Sequence, residues 1–443
     1  MCKIKNIKNL IIGFGKAGKT LASYLADKGE EVVLIEKSEK MYGGTCINVG
    51  CIPTKTLISQ AEKNIPLSEA IARKNELITF LRAKNFEKLD NHNKVEVITG
   101  EARFVGAKTV EIISPEGKSI AEYTAERIFI NTGTKSFIPL IDGVNVSGIY
   151  DSTSIMELEN LPKKLCIVGG GFIGLEFASM FADFGSEVVI LDNGEISLPR
   201  EDRDMAEAIV QSLSKKGIDI INKVAVQKFE EKENGVLVKY NDTELYADAV
   251  LVATGRIANT ENLNLDKAGI ETDTRGFIKV NDQLQTNIEG VWALGDVNGG
   301  PQFTYISLDD FRIIKNQLSG GKYNSRQERK DFAFSVFIDP PYAHIGLKEK
   351  DIDLTNPHIK VQKLPAGAIP KARVLSKTDG LLKAIVDTQT EKILGCTLFC
   401  AEAHELINTV KLAMDNELSY KVLRDQVFTH PTMSEALNDL FNI

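Results

Sequence analysis

Cys46 and Cys51 are the residues of this 443-residue chain whose type and spacing point most directly to chemistry. They stand in the run Gly43-Gly44-Thr45-Cys46-Ile47-Asn48-Val49-Gly50-Cys51-Ile52-Pro53-Thr54-Lys55. The residues between them can curl so that the two sulfurs meet. Proline is favoured in a first helical turn, so a helix is expected to start near Pro53, with Cys51 at its N-terminus, where the dipole stabilises a thiolate. A bond between the two sulfurs would accept electrons, and the opened pair would be one charge-stabilised thiolate and one attacking thiol. A structural disulfide, half a zinc site and two unrelated buried thiols are the competing readings. No close second Cys or His pair follows to complete a zinc site. A cytosolic setting disfavours a structural disulfide.

Thr429-His430-Pro431-Thr432-Met433-Ser434-Glu435 forms a second compact group. Here the Glu435 carboxylate can hold the His430 imidazole in one tautomer while the ring trades a proton with a thiol.

The elements that would position these groups include one device present twice. A buried strand at Asn9–Ile12 runs into Gly13, Gly15 and Gly18, then a helical stretch, then a second strand, Glu31–Ile35, ending at Glu36. Such a turn brings backbone close to a pyrophosphate, the helix N-terminus stabilises its charge, and the acid accepts from ribose hydroxyls. Leu165–Val168 with Gly169, Gly171 and Gly174, then Glu187–Leu191 ending at Asp192, repeats the unit with its first glycine and its acid displaced by the same number of positions. Two dinucleotide folds imply two dinucleotides, one resident and one exchanging, and FAD with NADH or NADPH is the natural pair. Asp192 favours NADH, because it accepts from a 2′-hydroxyl and repels a 2′-phosphate, while Arg200 and Arg203 nearby could still reach a phosphate. Phe129–Thr132 before Gly133, Ala249–Ala253 before Thr254 and Gly255, and Val291–Leu294 before Gly295 and Asp296 read as further strands ending in tight turns, with Asp296 a candidate for a flavin ribityl hydroxyl.

Length calls for two to four domains of roughly 100 to 200 residues. With 43% hydrophobic and 26% charged residues, the chain reads as an ordinary soluble α/β enzyme rather than a disordered one. A net charge of −8 argues against a nucleic-acid partner. No run approaches the roughly 18 apolar residues a membrane span needs, and no signal peptide is seen, so a cytoplasmic location is expected.

The sequence GGTCINVGCIPTK, the paired fingerprints, WALGD at Trp292–Asp296 and HPTMSE at His430–Glu435 resemble the flavoprotein disulfide reductases of the glutathione reductase and dihydrolipoamide dehydrogenase class. The resemblance covers essentially the whole chain. It implies two Rossmann-like dinucleotide-binding domains and a C-terminal α+β dimerisation domain: FAD over 1–141 and 265–322, NAD(P)H inserted at 142–264, and dimerisation over 323–443. It also implies that Cys51 faces the flavin as the charge-transfer thiol, that Cys46 attacks substrate, and that His430 with Glu435 serves the other subunit of a homodimer. Lys55 would pair with Glu176 beside the flavin. Gly44, Thr45, Ala102 and Gly133 would join Gly13, Gly15, Gly18, Glu36, Lys55 and Asp296 in holding FAD, and Gly255 would join the second fingerprint at NAD(P)H.

Within the class, Leu440–Ile443 carries no cysteine pair of the mercuric reductase or large thioredoxin reductase kind, Phe428 and Thr429 stand where lipoamide dehydrogenases carry Ala and His, and Ser23 stands where glutathione reductases place a substrate-binding arginine. GFGKAGKT at Gly13–Thr20, MYGGTCIN at Met41–Asn48, QFTYISLDD at Gln302–Asp310, Pro340-Pro341 and AIPKAR at Ala368–Arg373 look like bacterial reactive-chlorine-resistance flavoproteins and hypothiocyanous acid reductases. A small oxidant is thus the expected acceptor, with copper(II) or another metal ion, or dihydrolipoamide in a multienzyme complex, as alternatives. No resident metal is expected: Cys396, Cys400 and His404 offer soft and imidazole ligands but read first as packing. Cys166 reads as a buried strand residue and Cys2 as a terminal thiol.

Overall fold

Continuous apolar strands buried on both faces require helices on either side of a parallel sheet. The computed structural model describes residues 4–443, so Cys2 lies outside the described residues. The chain forms two compact units, Met1–Leu57 with Ser68–Phe137 and Gly255–Arg329, and Ile58–Leu67 with Ile138–Thr254 and Lys330–Ile443.

In the first unit, β1 (Lys5–Ile12), α1 (Lys16–Asp27) and β2 (Val32–Glu36) form the first fingerprint. The cysteine run follows as α2 (Thr45–Asn48) and α3 (Cys51–Ala61), and then comes the long α4 (Leu67–Asp90). β3 (Val95–Thr99), β4 (Glu101–Gly106), β5 (Thr109–Ile113) and β6 (Ser119–Ile130) complete a seven-stranded sheet of order β3-β2-β1-β6-β5-β4, with strand Val291–Ala293 also paired to β6. β1 is parallel to both neighbours, Ile12 lying opposite Ile35 on one side and Ile130 on the other. Alternate faces of these strands pack into separate cores: Leu10, Ile12, Val33 and Ile35 lie with Phe104 and Ile112, whereas Ile11, Val32 and Leu34 lie with Leu21, Leu25 and Ile313.

In the second unit a parallel five-stranded sheet repeats the plan, in the order Ile218–Ile221, Glu187–Leu191, Lys164–Val168, Ala249–Val252, Ile149–Tyr150, with α5 (Phe172–Phe184) following the second glycine turn. The C-terminal part is an antiparallel five-stranded sheet, Phe334–Val336, Tyr342–Gly346, Ile393–Phe399, Leu381–Asp387, Ile359–Pro365. Helix Ala403–Asp415 buries Leu406, Ile407 and Val410 in the core of this part. The doubly wound α/β architecture with an α+β C-terminal part is the one expected from sequence.

Within this unit a buried ion cluster joins segments far apart in sequence. The Lys383 side chain has no solvent exposure, and its Nζ lies 2.9 Å from Asp202 and 2.6 Å from both Asp204 and Glu349. Burial alone would lower its pKa, but hydrogen bonds to Asp204, Glu349 and Asp202 outweigh it and keep the ammonium charged above its usual range. Removing one partner from such a cluster leaves uncompensated buried charge. Lys383→Met is therefore expected to destabilise the protein by about 3–5 kcal/mol, read as a lowered urea midpoint. A midpoint equal to that of the unsubstituted protein would show that the cluster contributes nothing net.

Candidate active site

The first fingerprint is glycine-rich because neighbouring backbone and the Asn131 side chain leave no room for a Cβ. Gly13 has φ +104°, and a Cβ there would lie 2.4 Å from the Asn131 carbonyl oxygen, while a Cβ on Gly15 would lie 2.5 Å from Asn131 Oδ1. Asn131 itself closes the turn: its backbone N–H donates to Ile12 O (2.7 Å), its Oδ1 accepts from Gly18 N (2.9 Å), and its Nδ2 donates to Leu294 O (2.6 Å). Helix α1 opens without a side-chain cap from Gly15, with Ala17 N and Gly18 N donating to Ser307 Oγ and Asn131 Oδ1, and the positive end of its dipole favours an anion. Glu36 ends β2 almost fully buried, and its Oε2 accepts from Phe14 N at 3.0 Å. Burial raises its pKa against that bond.

The cysteine run returns to this turn, since a Cβ on Gly44 (φ +82°) would lie 2.6 Å from Gly15 Cα. Thr45 opens α2, and Ala102 is buried on β4. Gly133 turns with φ +68° into open space. Asp296, raised in pKa by burial, accepts from the Thr134 hydroxyl at 3.3 Å. Thr132 Oγ1 is buried and has no hydrogen-bond partner. A close-approach glycine turn, an uncapped helix start, a buried and a half-buried acid and an orphan hydroxyl form a donor and acceptor set that fits FAD.

The second fingerprint repeats this geometry. Gly169 has φ +112° with its Cβ position 2.6 Å from Ala253 O, Gly174 packs on Gly169 O, and α5 starts after an uncapped Gly171. Asp192 Oδ1 accepts from Gly170 N at 3.0 Å, as Glu36 does from Phe14. Arg203 donates to the carbonyls of Ser197, Leu198 and Glu201, and Arg200 is exposed. Gly255 has φ +131° and open space around it.

Cys46, half-buried in α2, and Cys51, exposed as the first residue of α3, are thiols not joined by a disulfide. The helix therefore starts two residues before Pro53, with Cys51 inside its first turn, so the dipole argument holds. Cys51 Sγ also lies 3.7 Å from Thr304 Oγ1, and Thr304 is the first residue of helix Thr304–Ser319. Two helix N-termini thus converge on one sulfur, which favours its thiolate. Cys46 is pushed well up by its hydrogen bond to Cys51 and by burial, while a hydrogen bond from Thr304 and the charge of Lys19 act the other way. Lys55 lies on α3, and Glu176 lies on α5, where its Oε1 accepts from Phe337 N at 2.9 Å.

His430 is exposed, and its Nδ1 is 3.1 Å from both Glu435 carboxylate oxygens; Glu435 is fixed in turn by Thr432 N at 2.9 Å. The Thr432 amide is the main cause of the lowered Glu435 pKa. An ionised carboxylate on Nδ1 leaves Nε2 for proton exchange. Cys396 lies on a strand and Cys400 just beyond it, both fully within the apolar core, and burial pushes their thiols up. Cys166 is likewise buried. Among the described residues the one group of three potential metal ligands is Asp202, Asp204 and Glu349, which Lys383 already bridges.

Residues 7–310 match the pyridine nucleotide-disulphide oxidoreductase family, and residues 332–441 match its dimerisation domain. The chain belongs to this family. It is 49% identical over 435 residues, 98% of each chain, to the probable pyridine nucleotide-disulfide oxidoreductase RclA of Escherichia coli. It is 32% identical to a mercuric reductase of Staphylococcus aureus, over 97% of this chain and 80% of that one, and 32% identical to a dihydrolipoyl dehydrogenase of Geobacillus stearothermophilus, over 97% and 94%. A solved structure described as the Cu(II) complex of HOCl-induced flavoprotein disulfide reductase RclA from Escherichia coli superposes with TM-score 0.96 at 48% identity, covering 99% of both chains. As a pyridine nucleotide-disulphide oxidoreductase the protein is an enzyme that uses FAD and NAD(P)H, and it carries a dimerisation domain. No helix among the described residues is long and apolar enough to cross a membrane.

Three residues of the site escaped sequence reasoning. Lys19 and Thr304 lie inside the quoted runs GFGKAGKT and QFTYISLDD, and Asn131 inside the strand Phe129–Thr132, so a signal existed without a stated role. Asn131→Ala removes the side-chain partners of Gly18 N and Leu294 O, a loss of about 2–4 kcal/mol. Its expected effect is substoichiometric flavin after purification and a lower thermal midpoint, both partly recovered with added FAD. Full flavin content at the usual midpoint would show that the turn closes without it.

Proposed function

We propose that this enzyme passes electrons from NAD(P)H through FAD and the Cys46/Cys51 pair to a small oxidant, hypothiocyanous acid, in defence against antimicrobial oxidants. The observation that carries the reading is this dithiol, one sulfur at two helix N-termini, in a chain closely similar to an HOCl-induced disulfide reductase over its whole length. A second feature agrees: Ser23 provides no arginine for a glutathione carboxylate.

The bound flavin supplies hydride acceptance from nicotinamide and two-electron delivery to the sulfur pair. Gly13, Gly15, Gly18, Glu36, Gly44, Thr45, Lys55, Ala102, Gly133 and Asp296 hold it in this reading, with Glu176 paired to Lys55. Gly169, Gly171, Gly174, Asp192 and Gly255 hold the nicotinamide dinucleotide. Cys51 faces the flavin, Cys46 attacks the electrophilic sulfur of the acceptor, and Cys51 then resolves the adduct. His430, oriented by Glu435, manages protons in the other subunit of a homodimer. The domains follow as FAD at 1–141 and 265–322, NAD(P)H at 142–264 and dimerisation at 323–443, in a cytoplasmic enzyme.

Copper(II) as substrate is the second reading, favoured because solved structures of the similar Escherichia coli enzyme are Cu(II) complexes. Cys396, Cys400 and His404 do not support a resident copper site, since both thiols are enclosed in the apolar core.

NADH and NADPH oxidation should be measured with hypothiocyanous acid, copper(II), lipoamide, glutathione disulfide and mercury(II). Hypothiocyanous acid is expected to give the highest kcat/KM; fast turnover on either disulfide alone would overturn the choice. Because Asp192 would accept from a ribose 2′-hydroxyl and repel a 2′-phosphate, NADH should exceed NADPH in kcat/KM by about tenfold or more. Cys46→Ser is expected to abolish acceptor reduction while NAD(P)H still reduces the flavin, checked by stopped-flow absorbance; retained full turnover would remove Cys46 from the mechanism.

A further inference from the structure

Lys19 sits one residue beyond the last fingerprint glycine, on the first turns of α1. Its ammonium does not point into bulk water. Nζ donates to Asn85 Oδ1 of α4 at 2.6 Å and to Gly43 O at 3.2 Å, and Gly43 belongs to the segment that carries Cys46. Asn85 is itself fixed by donating to Leu81 O at 2.7 Å, and Arg82 of the same helix donates to Asn48 Oδ1 of α2 at 2.8 Å. Helix α4 thereby clamps both ends of the Cys46 turn. An ammonium has three donors, and two are occupied here.

We propose, on the reading of function given above, that Lys19 is the electrostatic activator of Cys46: held between Gly43 and Asn85, its ammonium stabilises the attacking thiolate and the anion the acceptor releases. Two influences favour the Cys46 thiolate, the Thr304 hydroxyl and the Lys19 charge, against the shared hydrogen bond with Cys51 and burial. Lys19 is lowered to about 8, first by burial and then by the charges of Lys16 and Lys88, with Cys46 opposing. The titratable groups around this pair are thus Cys51, Lys16 and Lys88, and the thiol and the ammonium are each held out of their ordinary ranges.

The step balances as follows. The Cys46 thiolate forms an S–S bond to the sulfur of hypothiocyanous acid while the S–O bond breaks, and its electron pair leaves as hydroxide, which solvent protonates to water. The Cys51 thiolate then forms the Cys46–Cys51 bond, and thiocyanate departs with the second pair. The dithiol is oxidised by two electrons, restored from NAD(P)H, and the acceptor is reduced by two. Each displacement releases an anion beside Cys46, where a fixed cation lowers the barrier more than solvent does.

The test uses the dimeric holoenzyme, reduced anaerobically with NADH, with Lys19→Gln, which keeps hydrogen-bonding capacity without charge, and Lys19→Arg, which keeps charge. Flavin content and oligomeric state report folding. The first readout is the pH dependence of Cys46 carbamidomethylation by iodoacetamide, followed by peptide mass spectrometry. Losing a neighbouring cation moves a thiol midpoint up, so Lys19→Gln should raise it by about one pH unit and Lys19→Arg should restore it. The second readout is kcat/KM for hypothiocyanous acid, expected to fall about tenfold in Lys19→Gln and to recover in Lys19→Arg. An unchanged Cys46 profile in folded Lys19→Gln overturns the proposal, as does Lys19→Arg failing to the same extent as Lys19→Gln. A shifted profile in an enzyme that is inert toward hypothiocyanous acid supports the role of Lys19 and overturns the substrate reading instead.

Discussion

The side chain of Asn131, at the end of β6, is the point on which the geometry of the first unit depends. It reaches the fingerprint helix through Gly18 and the Trp292–Asp296 segment through Leu294, while its backbone extends the sheet to Ile12. A buried amide that both donates and accepts holds these segments in one register, and an apolar residue of the same size would leave their amide and carbonyl groups unpaired. The glycines follow from it. Gly13 and Gly15 must lack a Cβ because Asn131 occupies that volume, and Gly44 must lack one because Gly15 lies behind it. The cysteine run is therefore seated on the nucleotide turn by contact between backbones.

That seating sets the electrostatics of the sulfur pair. Cys51 lies at two helix starts, its own and that of Thr304–Ser319, whereas a hydrogen bond to Cys51 and burial push Cys46 up. The two thiols thus sit in unequal surroundings, one exposed at helix starts and one half-buried, and in the proposed relay that inequality would separate the thiolate from the attacking thiol. His430 is exposed and held in orientation by Glu435, which Thr432 N fixes in turn.

The second unit solves a different problem, that of joining a nucleotide sheet to an antiparallel sheet. Lys383 does so with a fully buried ammonium among three carboxylates, and Tyr342, on the same antiparallel sheet, donates to Glu201 of the segment that carries Asp202. Such polar contacts demand defined geometry, since a displaced partner leaves a bare charge in a dry place. Arg203, turned onto the carbonyls of Ser197, Leu198 and Glu201, shapes the loop after Asp192.

Whatever depends on neighbours along the chain was legible in the sequence. The strand, glycine turn, helix and acid of each fingerprint, the cysteine spacing, the start of α3 to within two residues and the His430–Glu435 contact are local, so periodicity and turn chemistry suffice to read them. The doubly wound α/β class followed from the repetition of one unit. Tertiary structure alone decided which distant groups meet: Thr304 reaches Cys51 across 253 positions, Lys383 reaches Asp202 across 181, and Asn85 and Gly43 converge on Lys19. No periodicity encodes such meetings. They depend on how helices pack on the sheet, and the hydroxyl beside Cys51 and the ammonium at Gly43 are in place only once that packing has formed.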